Sequence, residues 1–171
     1  MTHEFNVATS DFATQASHRP LSVFLAQVRE TLGMDIAFVS EFTDARQVFR
    51  VTSVEAGDAT PVAPGLSSPL EDSYCKRVVE GRFPEFIADV NALAAAKKLA
   101  ITQQLNIGSY LSVPIVLQNG TVFGSLCCLS HAPGPELGEQ DAQALRDVAD
   151  AIAASIDRSG DFRDQIWLGG R

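Results

Sequence analysis

The sequence predicts an α+β layer fold, a single domain built on an antiparallel sheet with helices packed against it. Three observations predict it. Strand–turn–strand patterns occur over residues 35–54 and again over 108–130. Apolar residues at helical spacing flank them over 20–33 and 139–157. Between the two hairpins runs a cross-connection of short helical segments.

Residues 1–17 lack steady periodicity and read as a loose N-terminal arm; a domain over 18–158 and a tail or linker over 159–171 complete the division. From Pro20, the residues Leu21, Phe24, Leu25, Val28 and Leu32 form one apolar helical face, with Pro20 suited to the first turn and Gly33 to the end. The first strand is Asp35 to Phe42 and the second Gln47 to Val54, joined by the turn Thr43-Asp44-Ala45-Arg46. Residues 56–69 read as a loop. A capping box at Ser68-Pro69-Leu70-Glu71, or Asp72 as a rival cap, starts a short helix with Tyr74, Cys75, Val78 and Val79 that stops at Gly81. Phe83 to Ile87 is extended, Asp89 caps an alanine-rich segment from Asn91 to Ala100, and a further helical turn or two reaches Leu105 before Asn106 to Gly108 breaks it. Gly108 to Leu117 is a strand, bulged or at an edge where Pro114 cannot donate. Asn119-Gly120 predicts a two-residue type I′ turn into the strand Thr121 to Ser130. The last helix carries Asp141, Leu145, Val148, Ala149, Ile152 and Ile156 on one stripe.

Charge narrows the function. The 171 residues hold 13 Lys+Arg against 21 Asp+Glu, a formal charge of −8, so nucleic acid is not an expected partner. No run approaches the roughly 20 apolar residues that cross a bilayer, so no membrane is expected either. The N-terminus has no apolar segment after a basic one, so no signal peptide is expected. Three cysteines in no framework spacing fit a reducing cytoplasm.

Four stretches carry a family resemblance. They are Asp72-Ser73-Tyr74-Cys75 through Gly81 with Ile87-Ala88-Asp89, then Ile107 to Ile115, then Gly120 to Cys128, and the helix with Asp141, Leu145 and Ala149. In this order and spacing the chain resembles the GAF domain family, which is related to PAS domains. The resemblance implies a six-stranded antiparallel sheet, connecting helices over one face and terminal helices on the other. It also implies a small-molecule pocket between the sheet and the connecting helices. It implies a regulatory sensor of bacterial signal transduction, not an enzyme, that relays a ligand signal through terminal helices to a homodimer partner or an output domain. The ligand, and any cofactor, stays unknown. Leu137-Gly138 departs from the Phe-Ser/Thr that the family often has before the last helix.

The candidate ligand-binding residues are Phe38, Ser40 and Phe42 on the first strand, Asp72, Tyr74 and Cys75 on the covering helix, and Phe86 and Asp89 after it. Tyr110 and Ser112 share a face of the fifth strand, and Cys128, with Leu126, a face of the sixth. An apolar wall with a few hydroxyls and carboxylates suits a small, partly polar ligand. Cys75, near a helix start, reads as a buried apolar residue, as a redox switch, or as a bilin anchor. Phytochrome-like relatives usually have His after that Cys, where Lys76 stands here. A structural dimerisation module with a filled pocket is the remaining alternative. No catalytic set, phosphate loop or metal spacing is visible. His131 reads as a solvated loop residue, because nothing nearby orients its ring.

Overall fold

The computed structural model describes residues 21–134 and 136–159. The chain begins with helix α1 (Leu21–Leu32), followed by strands β1 (Ile36–Thr43) and β2 (Arg46–Val54). Then come β3 (Ser67–Pro69), a 3-10 turn (Leu70–Asp72), α2 (Tyr74–Val79), β4 (Phe86–Ile87) and a second 3-10 turn (Val90–Ala92). Short helices α3 (Ala94–Lys97) and α4 (Ala100–Gln104) lead to β5 (Ser109–Val116), β6 (Val122–Ser130) and α5 (Glu139–Ser159). The six strands form one sheet in the order β3-β2-β1-β6-β5-β4, every neighbouring pair antiparallel. The expected arm, 1–17, and the tail beyond its first residue lie outside the described residues.

The sheet separates two apolar clusters. On one side α1 and α5 pack Phe24, Leu25, Leu145, Val148 and Ile152 against Val39, Leu111, Val113 and Leu126. On the other, α2 to α4 pack Tyr74, Val78, Ala96 and Ile101 against Ile36, Phe38, Tyr110 and Leu129. The apolar stripe of α5 is therefore consumed within the chain. Among the described residues the exposed large apolar side chains are Val23, Leu66 and Val116. Buried Arg29 ties α1 to the sheet, donating to Ser53 Oγ at 3.1 Å, Met34 O at 3.2 Å and the Glu55 carboxylate at 2.5 Å.

Several local expectations are corrected. Ser68 is drawn into strand β3, a short edge strand not anticipated within the loop, and Asp72 closes a 3-10 turn. The cap of α2 is Ser73, whose Oγ accepts from Lys76 N at 3.1 Å. Only Phe86–Ile87 of the extended run pairs as a strand. The alanine-rich segment is broken into a 3-10 turn and two short helices, although Asp89 does cap its start through Asn91 N at 3.0 Å. The β5–β6 turn is not type I′, which needs a positive φ at Asn119; only Gly120 has one, +88°. Gly120 N instead donates to Leu117 O at 2.9 Å and Leu117 N to Thr121 O at 2.8 Å, a type I turn followed by a left-handed glycine.

The centre of the sheet requires Gly124. A Cβ there would stand 1.9 Å from Ser40 O across the β1–β6 pair. Gly124→Ala is expected to cost about 1–3 kcal/mol of stability through forced backbone movement. Urea unfolding measures it, and a variant as stable as the parent contradicts so tight a strand approach.

Candidate functional site

A β-bulge decides which side chains of β2 face the short helices. Val39 lies opposite Val51, but Ser40 lies opposite Phe49, so Arg50 is the extra residue. Strand parity reverses there. Val51 joins the α1/α5 side, whereas Phe49 and Gln47 turn to the other. Beside them stand Ile36 and Phe38 of β1, Tyr110 and Ser112 of β5, and Ser125, Cys127 and Leu129 of β6.

Over this platform the short helices form a roof held by a few polar ties. Tyr74 donates its hydroxyl hydrogen to Thr102 Oγ1, which donates to Ala96 O at 2.5 Å, joining α2, α3 and α4. Burial pushes the Tyr74 phenol up to about 12, against the pull of the Thr102 hydrogen bond. The Tyr74 ring meets Tyr110 edge-on at 4.7 Å and Phe83 at 5.5 Å between centroids. Tyr110 donates to Pro84 O at 2.6 Å, and burial raises its phenol far above the ordinary value.

Between platform and roof is a cavity of about 20 Å³. Its floor is Phe38, Gln47, Tyr110, Cys127 and Leu129; its ceiling is Ser73, Tyr74, Cys75, Ile101, Leu105 and Ile107. Among the described residues no charged side chain lines it. Such a volume holds about one water molecule. Gln47 is 3% exposed, and its Oε1 has no hydrogen-bond partner among the described residues. A buried, unsatisfied amide oxygen beside a cavity is an acceptor awaiting a donor.

The sequence-predicted residues divide into groups. Phe38, Tyr74, Cys75 and Tyr110 line the cavity. Ser112 and Ser40 lie one step beneath: Ser112 Oγ donates to Cys75 Sγ at 3.5 Å, and Ser40 Oγ meets Ser125 Oγ at 2.9 Å. Phe42 is half-buried and packs at the margin of the same cluster. Asp72 and Asp89 do not reach the walls; the first sits in the turn before α2 and the second caps a turn. Phe86 packs on the opposite side of the sheet, with the α1/α5 cluster. Cys128 does too, and Cys127 takes its place in the cavity. Residues 124–130 are buried on both faces, so hydrophobic alternation carries no sign of which cysteine faces which side. Gln47 was missed because a polar strand residue reads as solvent-facing. Ile101 and Leu105 lie in the helical turns expected to reach Leu105, and Ile107 in the break after them, but nothing in that pattern marks them as cavity walls.

His131, expected in solvent, is instead a clip across one end of the sheet. Its Nε2 meets Asp58 Oδ2 at 2.7 Å, and Nδ1 donates to Asn106 O at 2.7 Å. Thr60 completes the group through hydroxyl and amide bonds to Asp58, which hold that carboxyl down to about 2. Burial opposes charge on His131, but the Asn106 carbonyl and Asp58 prevail and raise it above its ordinary 6.5.

A raised histidine stabilises the fold fully below its unfolded value and loses that contribution as pH climbs through the folded one. The melting-temperature gap between the parent and His131→Gln is thus expected to be wider at pH 6 than at pH 9. A pH-independent gap contradicts the ion pair. Asp58 acts at the other end: its contribution is present above about pH 4 and lost as pH falls through about 2.

A family model described as GAF domain matches residues 18–156. Solved structures similar to the chain include the phycoerythrobilin-bound GAF domain of a cyanobacterial phytochrome, at 17% identity and TM-score 0.68, covering 94% of this chain and 96% of that one. The blue-light-absorbing form of the Thermosynechococcus elongatus PixJ GAF domain is similar at 18% identity and TM-score 0.66, covering 92% of each chain. The chromophore-binding domain of the bacteriophytochrome RpBphP3 from R. palustris is similar at 16% identity and TM-score 0.68, covering 93% of this chain and 62% of that one. No curated protein matches the chain.

Proposed function

The chain belongs to the GAF domain family, and from that premise we propose that it is a regulatory sensor of bacterial signal transduction and not an enzyme. A small neutral molecule enters between platform and roof, and its presence alters how α1 and α5 sit. Those helices pack on the reverse of the same sheet, where a partner copy or an output domain would read the change. Among the described residues no helix is long and apolar enough to cross a membrane. The three free, buried cysteines suit the reducing cytoplasm.

The observation that carries this reading is the unpaired Gln47 Oε1 in the wall of a cavity without charges. It favours an uncharged ligand that presents a hydrogen-bond donor to Gln47 and an apolar body to Phe38, Ile101 and Leu105. Anything larger than water requires the roof to lift, and a roof of helices four to six residues long is suited to that. The similar structures include bilin-bound domains. A cavity of about 20 Å³ does not favour a tetrapyrrole here, since ligands of drug size occupy pockets of roughly 300–1,000 Å³.

A library of neutral metabolites screened by thermal shift tests the proposal. Ligand at a hundred times its Kd stabilises by about 2.7 kcal/mol, or roughly 5–10 °C for a chain of this length. Gln47→Leu is expected to fold and to lose most of that shift. Hits that stabilise Gln47→Leu equally, or no hit at millimolar concentration, contradict it.

A further inference from the structure

Two thiols meet beneath the roof. Cys75 hangs from the first turn of α2, and Cys127 rises from the middle of β6. Cys127 lies opposite Ser112 in the β5–β6 register, and Ser112 Oγ is the group that donates to Cys75 Sγ at 3.5 Å. The Cys127 thiol donates to Cys128 O at 3.7 Å and lines the same cavity as the Cys75 thiol. Ser125, on the same face of β6, pairs its hydroxyl with Ser40 Oγ at 2.9 Å. The Cys75 sulfur thus accepts a donor from the sheet, whereas the Cys127 thiol gives its hydrogen to a backbone carbonyl. Both thiols also line the cavity, which has room for a molecule the size of water and contains no competing ionisable side chain except the two tyrosines.

We propose that Cys75 and Cys127 form a modification site for a small neutral hydroperoxide, and that its product is a disulfide joining the roof to the sheet. This goes beyond metabolite sensing and uses only the two thiols. The Cys75 sulfur attacks the terminal peroxide oxygen. The O–O bond breaks, the alcohol or water leaves with the proton from Cys75, and Cys75 becomes a sulfenic acid. The Cys127 sulfur then attacks the Cys75 sulfur. The S–S bond forms, the S–O bond breaks, and hydroxide leaves with the Cys127 proton as water. In sum, two thiols lose two electrons and the peroxide gains them. The neighbouring Cys127 thiol and the serine hydroxyls hold Cys75 below an ordinary thiol despite burial, whereas the neighbouring Cys75 and burial raise Cys127. Attack is assigned to Cys75, whose sulfur accepts the Ser112 hydrogen, and resolution to Cys127, whose thiol hydrogen is engaged by Cys128 O.

Cys128 is the internal control. It neighbours Cys127 in sequence but faces α1 and α5, and burial pushes it up to about 12. The full chain is reduced, freed of reductant and exposed to hydrogen peroxide. Thiols are then counted in denaturant and disulfides mapped by peptide mass. The expected result is loss of two of the three thiols, a Cys75–Cys127 cross-linked peptide, and Cys128 still reduced. Cys127→Ser is expected to halt at a Cys75 sulfenic acid trapped by dimedone; Cys75→Ser is expected to keep both remaining thiols. The parent's own peptide map decides the matter if either variant folds poorly. Three thiols still titratable after exposure that oxidises free glutathione, or a disulfide that contains Cys128, overturns the proposal.

Discussion

The pairing of β1 with β6 is the constraint on which the rest of the molecule depends. Both strands are central, both are buried on two faces, and they approach so closely that no Cβ fits at Gly124 beside Ser40 O. Because antiparallel partners share face assignments, this pairing fixes which residues look to α1 and α5 and which look to the roof. Phe38 with Cys127, and Ser40 with Ser125, are set on the cavity side together. Ala37 with Cys128, and Val39 with Leu126, are set on the other.

The two sides are built from unlike materials. One is covered by helices of 12 and 21 residues with continuous apolar stripes. The other is covered by helices of four to six residues, which have little stability of their own in water. The roof persists through specific tertiary ties. Tyr74, Thr102 and Ala96 bind its pieces to one another; Cys75 with Ser112 binds it to the sheet; His131 and Asp58 pin the β2–β3 loop at one end. A few polar ties over one apolar cluster thus hold short helices in place. In the proposed sensor, the platform would carry the consequence of a bound ligand to the helices on its far side.

Much of this was legible in the sequence, and the exceptions share a cause. Alternation sorted Ile36 and Phe38 from Ala37 and Val39, and Tyr110 and Ser112 from Leu111 and Val113, as the two clusters have them. It failed at Cys127-Cys128, where burial on both faces erases the pattern. It gave no sign of Gln47, whose facing depends on a bulge at Arg50 that no composition signal announces. Ser73 was obscured as a cap by two better-looking candidates beside it, Ser68 and Asp72. Phe86 was placed with the roof residues by proximity in sequence, but its register opposite Leu111 puts it on the reverse face. Local chemistry thus yielded elements and order, whereas the walls of the cavity were set by register.

Native-state hydrogen exchange tests the central claim, a yielding roof on a rigid platform, most directly. Amides of α2 and α4 are expected to exchange through local opening, orders of magnitude faster than those of Val39, Leu126 and Cys127. Equal protection of roof and central strands, with both exchanging only on global unfolding, would mean that the cover does not move and would contradict a sensor of this design.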